Sequence, residues 1–157
     1  MKNKIAKNSQ LIEVVIPASF SAGQQAIGQQ NQLTNTKIQA IEVYCDADMT
    51  KSPSGNAIIP AASLKLLYLT LYCKGTSGGD KEGTNVAQIP FASLHRLNVS
   101  SGASHIYDLQ EFDDLDIDWQ KSYVTIASGT TWSVLYSVII NVFYRYPNQI
   151  QQPNGGR

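Results

Sequence analysis

The stretch "LKLLYLTLYC", Leu64–Cys73, decides the fold. Leu67, Leu69, Leu71 and Cys73 fall on one side of an extended chain, and Tyr68, Thr70 and Tyr72 fall on the other. That period of two belongs to a strand with an apolar core side and an aromatic-polar side. The second clear signal is "SVIINVFYRY", Ser137–Tyr146, where Val138, Ile140, Val142 and Tyr144 oppose Ser137, Ile139, Asn141, Phe143 and Arg145. Both of its faces carry apolar groups, so its second face is expected to be covered as well, by other polypeptide rather than by water.

Weaker strands are read over Leu11–Ile16, Ile38–Cys45, Asn85–Ile89, His105–Leu109 and Ser122–Ala127. They are dense in β-branched and aromatic residues and are separated by Gly, Pro, Asn and Ser clusters. No segment of ten or more residues carries a helical period. The pattern predicts an all-β fold, an antiparallel β-sandwich of jelly-roll type in preference to an immunoglobulin-like one. At 157 residues the chain fits one domain. Its expected limits are 11–146, between a flexible N-terminal arm (1–10) and a flexible C-terminal tail (147–157).

"IPAASLKLL", Ile59–Leu67, and "IPFASLHRL", Ile89–Leu97, agree at six of nine positions. Proline lacks the N–H a ladder needs and suits the first position of a helical turn. The second copy is therefore expected to form a short turn that plugs one sandwich end with Phe91, Leu94 and Leu97, while the first flows into the Leu67 strand. Two members make no repeat architecture, and convergent corner-making explains the echo. The amide-rich stretch 19–36 and the tail are read as loops that bury too little to order alone.

Charged residues make up only 15% of the chain and the formal net charge is zero. A charge-poor surface is desolvated at low cost when another subunit covers it. Zero net charge argues against a basic nucleic-acid face, leaving at most a weak contact by Lys2, Lys4 and Lys7. No run reaches the roughly 18 apolar residues of a membrane span, and the N-terminus lacks the apolar core of a secretory signal, so synthesis in a cytoplasm is expected. Cys45 and Cys73 are read as buried thiols, with a disulfide left open. Two cysteines alone cannot close a zinc site.

Candidate chemistry is sparse. "GTSGGDKEG", Gly75–Gly83, fails as a phosphate loop because Asp80, not Gly, precedes Lys81. In "EFDDLDIDW", Asp114, Asp116 and Asp118 match the start of a calcium loop, but Trp119 holds the obligatory Gly position and Thr125 the closing Glu position. An irregular cation site or acidic contact over Asp113–Asp118 stays open beside a solvated loop. His95 and His105 lie in no metal-ligand spacing, and no Gly-x-Ser-x-Gly elbow occurs. The reading is of a non-enzymatic protein without a cofactor, an unrecognised hydrolase using the acidic segment ranking third. Tyr68, Tyr72, Trp132, Tyr136 and Phe143 are the interface candidates. With Tyr123, the same tyrosines and Trp132 would alternatively form a sugar-stacking face.

Taken together, "IPAASLKLLYLTLYC", "VAQIPFASLHRL" and "DWQKSYVTIASGTTWSVLYSVIINVFYRY" resemble, over residues 38–146, small jelly-roll virion proteins of bacterial viruses. The resemblance implies a penton, minor capsid or decoration subunit, made in the host cytoplasm and resident in the virion. Its partners would be copies of itself and other virion proteins. The runner-up is a carbohydrate- or receptor-binding β-sandwich module.

Overall fold

The computed structural model describes residues 8–19, 22–72, 85–94, 107–108, 117–127, 132 and 134–146. Among the described residues eight strands run β1 (Asn8–Ile16), β2 (Gly23–Ala26), β3 (Lys37–Tyr44), β4 (Leu67–Tyr72), β5 (Asn85–Pro90), β6 (Tyr107–Asp108), β7 (Tyr123–Ile126) and β8 (Tyr136–Arg145). They form two four-stranded antiparallel sheets, ordered β1-β8-β3-β6 (sheet A) and β2-β7-β4-β5 (sheet B). The fold is an all-β antiparallel sandwich.

The pairings have a simple logic. β1 pairs with β8, β2 with β7, β3 with β6 and β4 with β5, all antiparallel. The described strands thus pair as in one long hairpin, each strand of the first half with its counterpart in the second. Contacts of β3 with β8 and of β4 with β7 roll that ribbon into two sheets.

Alternation places the core between them. Ile12, Val14, Ile41, Val43, Ile140 and Val142 of sheet A face Leu67, Leu69, Leu71, Val124 and Ile126 of sheet B, and all are buried. Each such side chain contributes about 1.5–3 kcal/mol relative to an exposed one. Cys45 follows β3 into the same core.

Both Ile-Pro corners form helical turns, which corrects the expectation that only the second would. Pro60 caps a 3-10 turn over Ala61–Leu66, and Pro90 is followed by a helical turn over Phe91–Leu94. The two turns lie against each other, with Leu64, Phe91 and Leu94 buried as the plug. The echo is therefore one solution used twice at one end of the sandwich. Leu97 of the expected plug lies outside the described residues.

The stretch read as a loop over 19–36 instead contains β2, paired with β7, and a 3-10 turn over Asn31–Leu33. β1 starts at Asn8, three residues before the expected strand and inside the expected arm. The tail 147–157, Lys2, Lys4 and Lys7, the Gly75–Gly83 loop, Cys73, His95, His105 and Asp113–Asp116 lie outside the described residues. Among the described residues no helix is long and apolar enough to cross a membrane.

Candidate functional site: the outer faces of the two sheets

Strand alternation sends every second side chain of each sheet away from the core, and the two outward faces are where partner or ligand could bind. On sheet B the register aligns Gln24, Thr125, Tyr68 and Pro90 in one row, and Ala26, Tyr123, Thr70 and Gln88 in the next. Tyr72 follows Thr70 along β4. Tyr68, Tyr72, Tyr123 and Thr125 are half-buried, and Gln24, Ala26, Gln88 and Pro90 are exposed. None of these side chains is charged.

Tyr72 and Tyr123 pack with ring centroids 5.9 Å apart at 42°. A hydrogen bond between their hydroxyls, with some burial, holds the Tyr72 pKa above its ordinary value. Thr70, set among the tyrosines, is 0% exposed, and its hydroxyl has no hydrogen-bond partner.

The outer face of sheet A is a different surface. Ser137, Ile139 and Asn141 of β8 are buried there, with Glu42 of β3. The expectation that the second face of β8 is covered is met, and the cover is the same chain. Beyond the end of β3, Ala57–Ile59 takes up the ladder: Ser137 N–H donates to Ala57 O at 2.8 Å and Ile59 N–H donates to Ser137 O at 3.0 Å. The turn before it, Ser52–Asn56, folds onto Glu13 of β1. Ser54 donates its Oγ (2.8 Å) and backbone N–H (3.2 Å) to Glu13 Oε2, and Ser137 Oγ donates to Oε1 at 2.6 Å. Asn56 Nδ2 bridges Ser137 Oγ at 3.1 Å and Glu13 Oε1 at 3.5 Å.

Burial pushes the Glu13 carboxyl up, but the bonds from Ser137, Ser52 and Ser54 outweigh it and hold its pKa below the ordinary value. Two strands from Glu13, on β3, Glu42 is 2% exposed and accepts from Asn141 Nδ2 at 2.8 Å and Tyr44 Oη at 2.5 Å. Half-buried Glu13 and buried Glu42 are thus both held by neutral donors of their own chain, so they staple the face rather than present reactive groups.

The sequence-selected aromatics therefore occupy three places. Tyr68 and Tyr72 share the sheet B face with Tyr123. Phe143 is half-buried on the outer face of sheet A, opposite Ala40 and Ser9. Trp132 and Tyr136 meet edge-on at 5.5 Å and 74° where the chain enters β8. Trp132 is only 5% exposed, so it offers no stacking platform. Its backbone O accepts Ser19 N–H at 2.7 Å, tying the β1–β2 and β7–β8 connections together.

Of the acidic stretch, Asp118 is described. It caps a turn, Oδ1 accepting Lys121 N–H at 3.2 Å and its backbone O accepting Ser122 Oγ at 2.7 Å. Among the described residues no group of three or more His, Cys, Asp or Glu could hold a metal ion. Asp118, Trp119 and Gln120 meet Gln29, Gln30 and Thr34 around a cavity of ≈ 70 Å³, far below the about 300 Å³ or more of small-molecule sites. Cys45 is a buried thiol donating to Asp48 Oδ2 at 3.6 Å, its pKa raised first by burial and further by the charges of Asp48 and Asp46. The Glu13 network was not anticipated; its one sequence signal is the turn-forming "SPSGN", Ser52–Asn56. Comparison with protein-family models, curated proteins and solved structures finds no match to this chain.

Proposed function

We propose that this chain is a non-enzymatic structural subunit of a bacteriophage virion, a penton, minor capsid or decoration protein that assembles with copies of itself and other virion proteins. The observation that carries the assembly reading is the outer face of sheet B: Tyr68, Tyr72 and Tyr123, half-buried, flanked by Gln24, Gln88 and Thr125. Tyrosine places a large apolar ring and a satisfiable hydroxyl at an interface, and a face without charge is cheaply desolvated. The rolled-ribbon pairing supports a jelly-roll reading of the sandwich. The virion setting rests on the resemblance of the strand segments to small phage jelly-roll proteins.

A second reading, a carbohydrate- or receptor-binding module, is favoured by the same three rings, whose exposed parts and neighbouring amides suit a sugar ring. Light scattering coupled to size exclusion separates them. A structural subunit gives a concentration-dependent mass above the 17.2 kDa of one chain, reduced by Tyr68→Lys. A particle that stays at one chain up to millimolar concentration, while wild type but not Tyr72→Ala binds a glycan array, replaces the first reading with the second.

A further inference from the structure

We infer that the open edge of β1 pairs antiparallel with β1 of a second copy, joining two sheet A layers into one eight-stranded sheet. This deepens the self-assembly reading above and rests on it, but it uses a different surface.

The backbone accounting comes first. Ser137 commits its N–H and C=O to Ala57 and Ile59, so neither is directed at Val15, the residue opposite it on β1. In an antiparallel ladder such pairs alternate with bonded ones. The register runs unbroken from Asn8 to Ile16, so Ser9, Leu11, Glu13 and Val15 all turn their N–H and C=O outward. A side-chain bond agrees: Leu11 O accepts Gln10 Nε2 of its own strand at 3.1 Å. Among the described residues no strand pairs with this side of β1.

The edges of sheet B carry the usual protections against pairing: a short strand, proline, a bulge. β2 has four residues beginning with Gly23. β5 ends in Pro90 and faces a bulge between Leu71 and Tyr72. β1 is nine residues long and regular, without proline or lysine. Its one charge, Glu13, is turned toward Ser54, Asn56 and Ser137 of its own chain.

The occupant follows from self-complementarity. A dyad through Leu11 sets the two Leu11 side chains, each 42% exposed, directly opposite one another and places Glu13 opposite Ser9 of the other copy. A dyad through Glu13 would oppose two carboxylates, and one through Ile12 would set Leu11 against Glu13; cross-strand pairing disfavours both. A strand of this length buries less than the roughly 1,200 Å² of a stable interface, so the contact is weak alone and is reinforced by a second surface.

The test uses the full chain. At the Leu11 dyad the facing Cα atoms stand about 5.5 Å apart, within disulfide range. Under mild oxidation Leu11→Cys is expected to give a covalent dimer well above the wild-type background from Cys45 and Cys73. Val15→Cys is expected to give none, because its counterpart is eight residues away, about 27 Å. Leu11→Pro removes an outward N–H without touching the ladder to β8, and Leu11→Lys blocks the edge with charge. Each is expected to raise the self-association constant Kd at least about tenfold, the equivalent of about 1.4 kcal/mol, with an unchanged circular dichroism spectrum. Equal cross-linking at 11 and 15, or association unaffected by both Leu11 variants but lost with Tyr68→Lys, overturns the edge pairing and leaves the assembly reading standing. A wild type that never associates overturns both.

Discussion

On the outer side of sheet A, Ser137, Ile139 and Asn141 are buried beneath chain that belongs to the same molecule, and the Ser137 and Asn141 side chains bond to Glu13, Asn56 and Glu42. On the outer side of sheet B, three tyrosines stand half-exposed over Thr70, whose hydroxyl is buried and unpartnered. Both faces arise from the same alternation of apolar and polar residues. The difference teaches that alternation specifies which side of a strand is apolar, whereas the source of its cover is specified by what the connections do. A second buried layer within one chain behaves as core, and only the face left open is free to act as an interface.

The largest test of this contrast is a cavity. Ile139 is 0% exposed although it points away from the space between the sheets. If the 46–59 connection makes a true second core there, Ile139→Ala costs about 2–5 kcal/mol. Urea unfolding of the isolated chain at low concentration measures this directly. A loss below about 0.5 kcal/mol, the size of an ordinary surface effect, would mean that the cover is not formed in the monomer and that the two faces are alike.

How far this was readable from the chain depends on the range of the interaction. Leu67–Tyr72 and Tyr136–Arg145 were legible because their alternation is local, and the Ile-Pro corners because proline acts on its immediate neighbours. β2, "GQQA", was not: it buries almost nothing and is a strand only because its backbone bonds to β7. The partition of the aromatics was also illegible, since whether Phe143 joins Tyr68 or opposes it depends on which sheet each strand enters. Glu13 meets Ser137 across 124 residues and Ser54 across 41, and no local pattern encodes such a meeting. The second apolar side of β8 correctly announced burial, yet it carried no information about which chain would provide it.

A middle-sized effect comes from the staple on sheet A. The Glu13 pKa is lowered in the folded chain, so its contribution is fully present above the unfolded glutamate value of about 4.3 and is lost as pH falls through the lower folded value. Glu13→Gln is therefore expected to cost about 1 kcal/mol near neutral pH, a figure held down by the partial exposure of the site. The gap between wild type and variant closes as both are acidified below about pH 4.3. A gap that is constant with pH, or that widens on acidification, would show that the carboxylate charge does not hold the Ser52–Asn56 turn.

The smallest effect sits on sheet B and has the opposite sign. A buried hydroxyl without a partner has lost its water and gained nothing in return, a loss of about 1–3 kcal/mol when uncompensated. Thr70→Val keeps the β-branched shape that suits a strand and removes that hydroxyl. The substitution is expected to be neutral or to stabilise by up to about 1 kcal/mol. The matching change on sheet A, Ser137→Ala, deletes bonds to Glu13 and Asn56 and is expected to destabilise. Opposite signs for two buried hydroxyls on the two outward faces, measured by the same unfolding assay, would locate the satisfied polar layer on sheet A. Destabilisation by Thr70→Val equal to that of Ser137→Ala would instead give Thr70 a structural hydrogen bond and erase the distinction at this position.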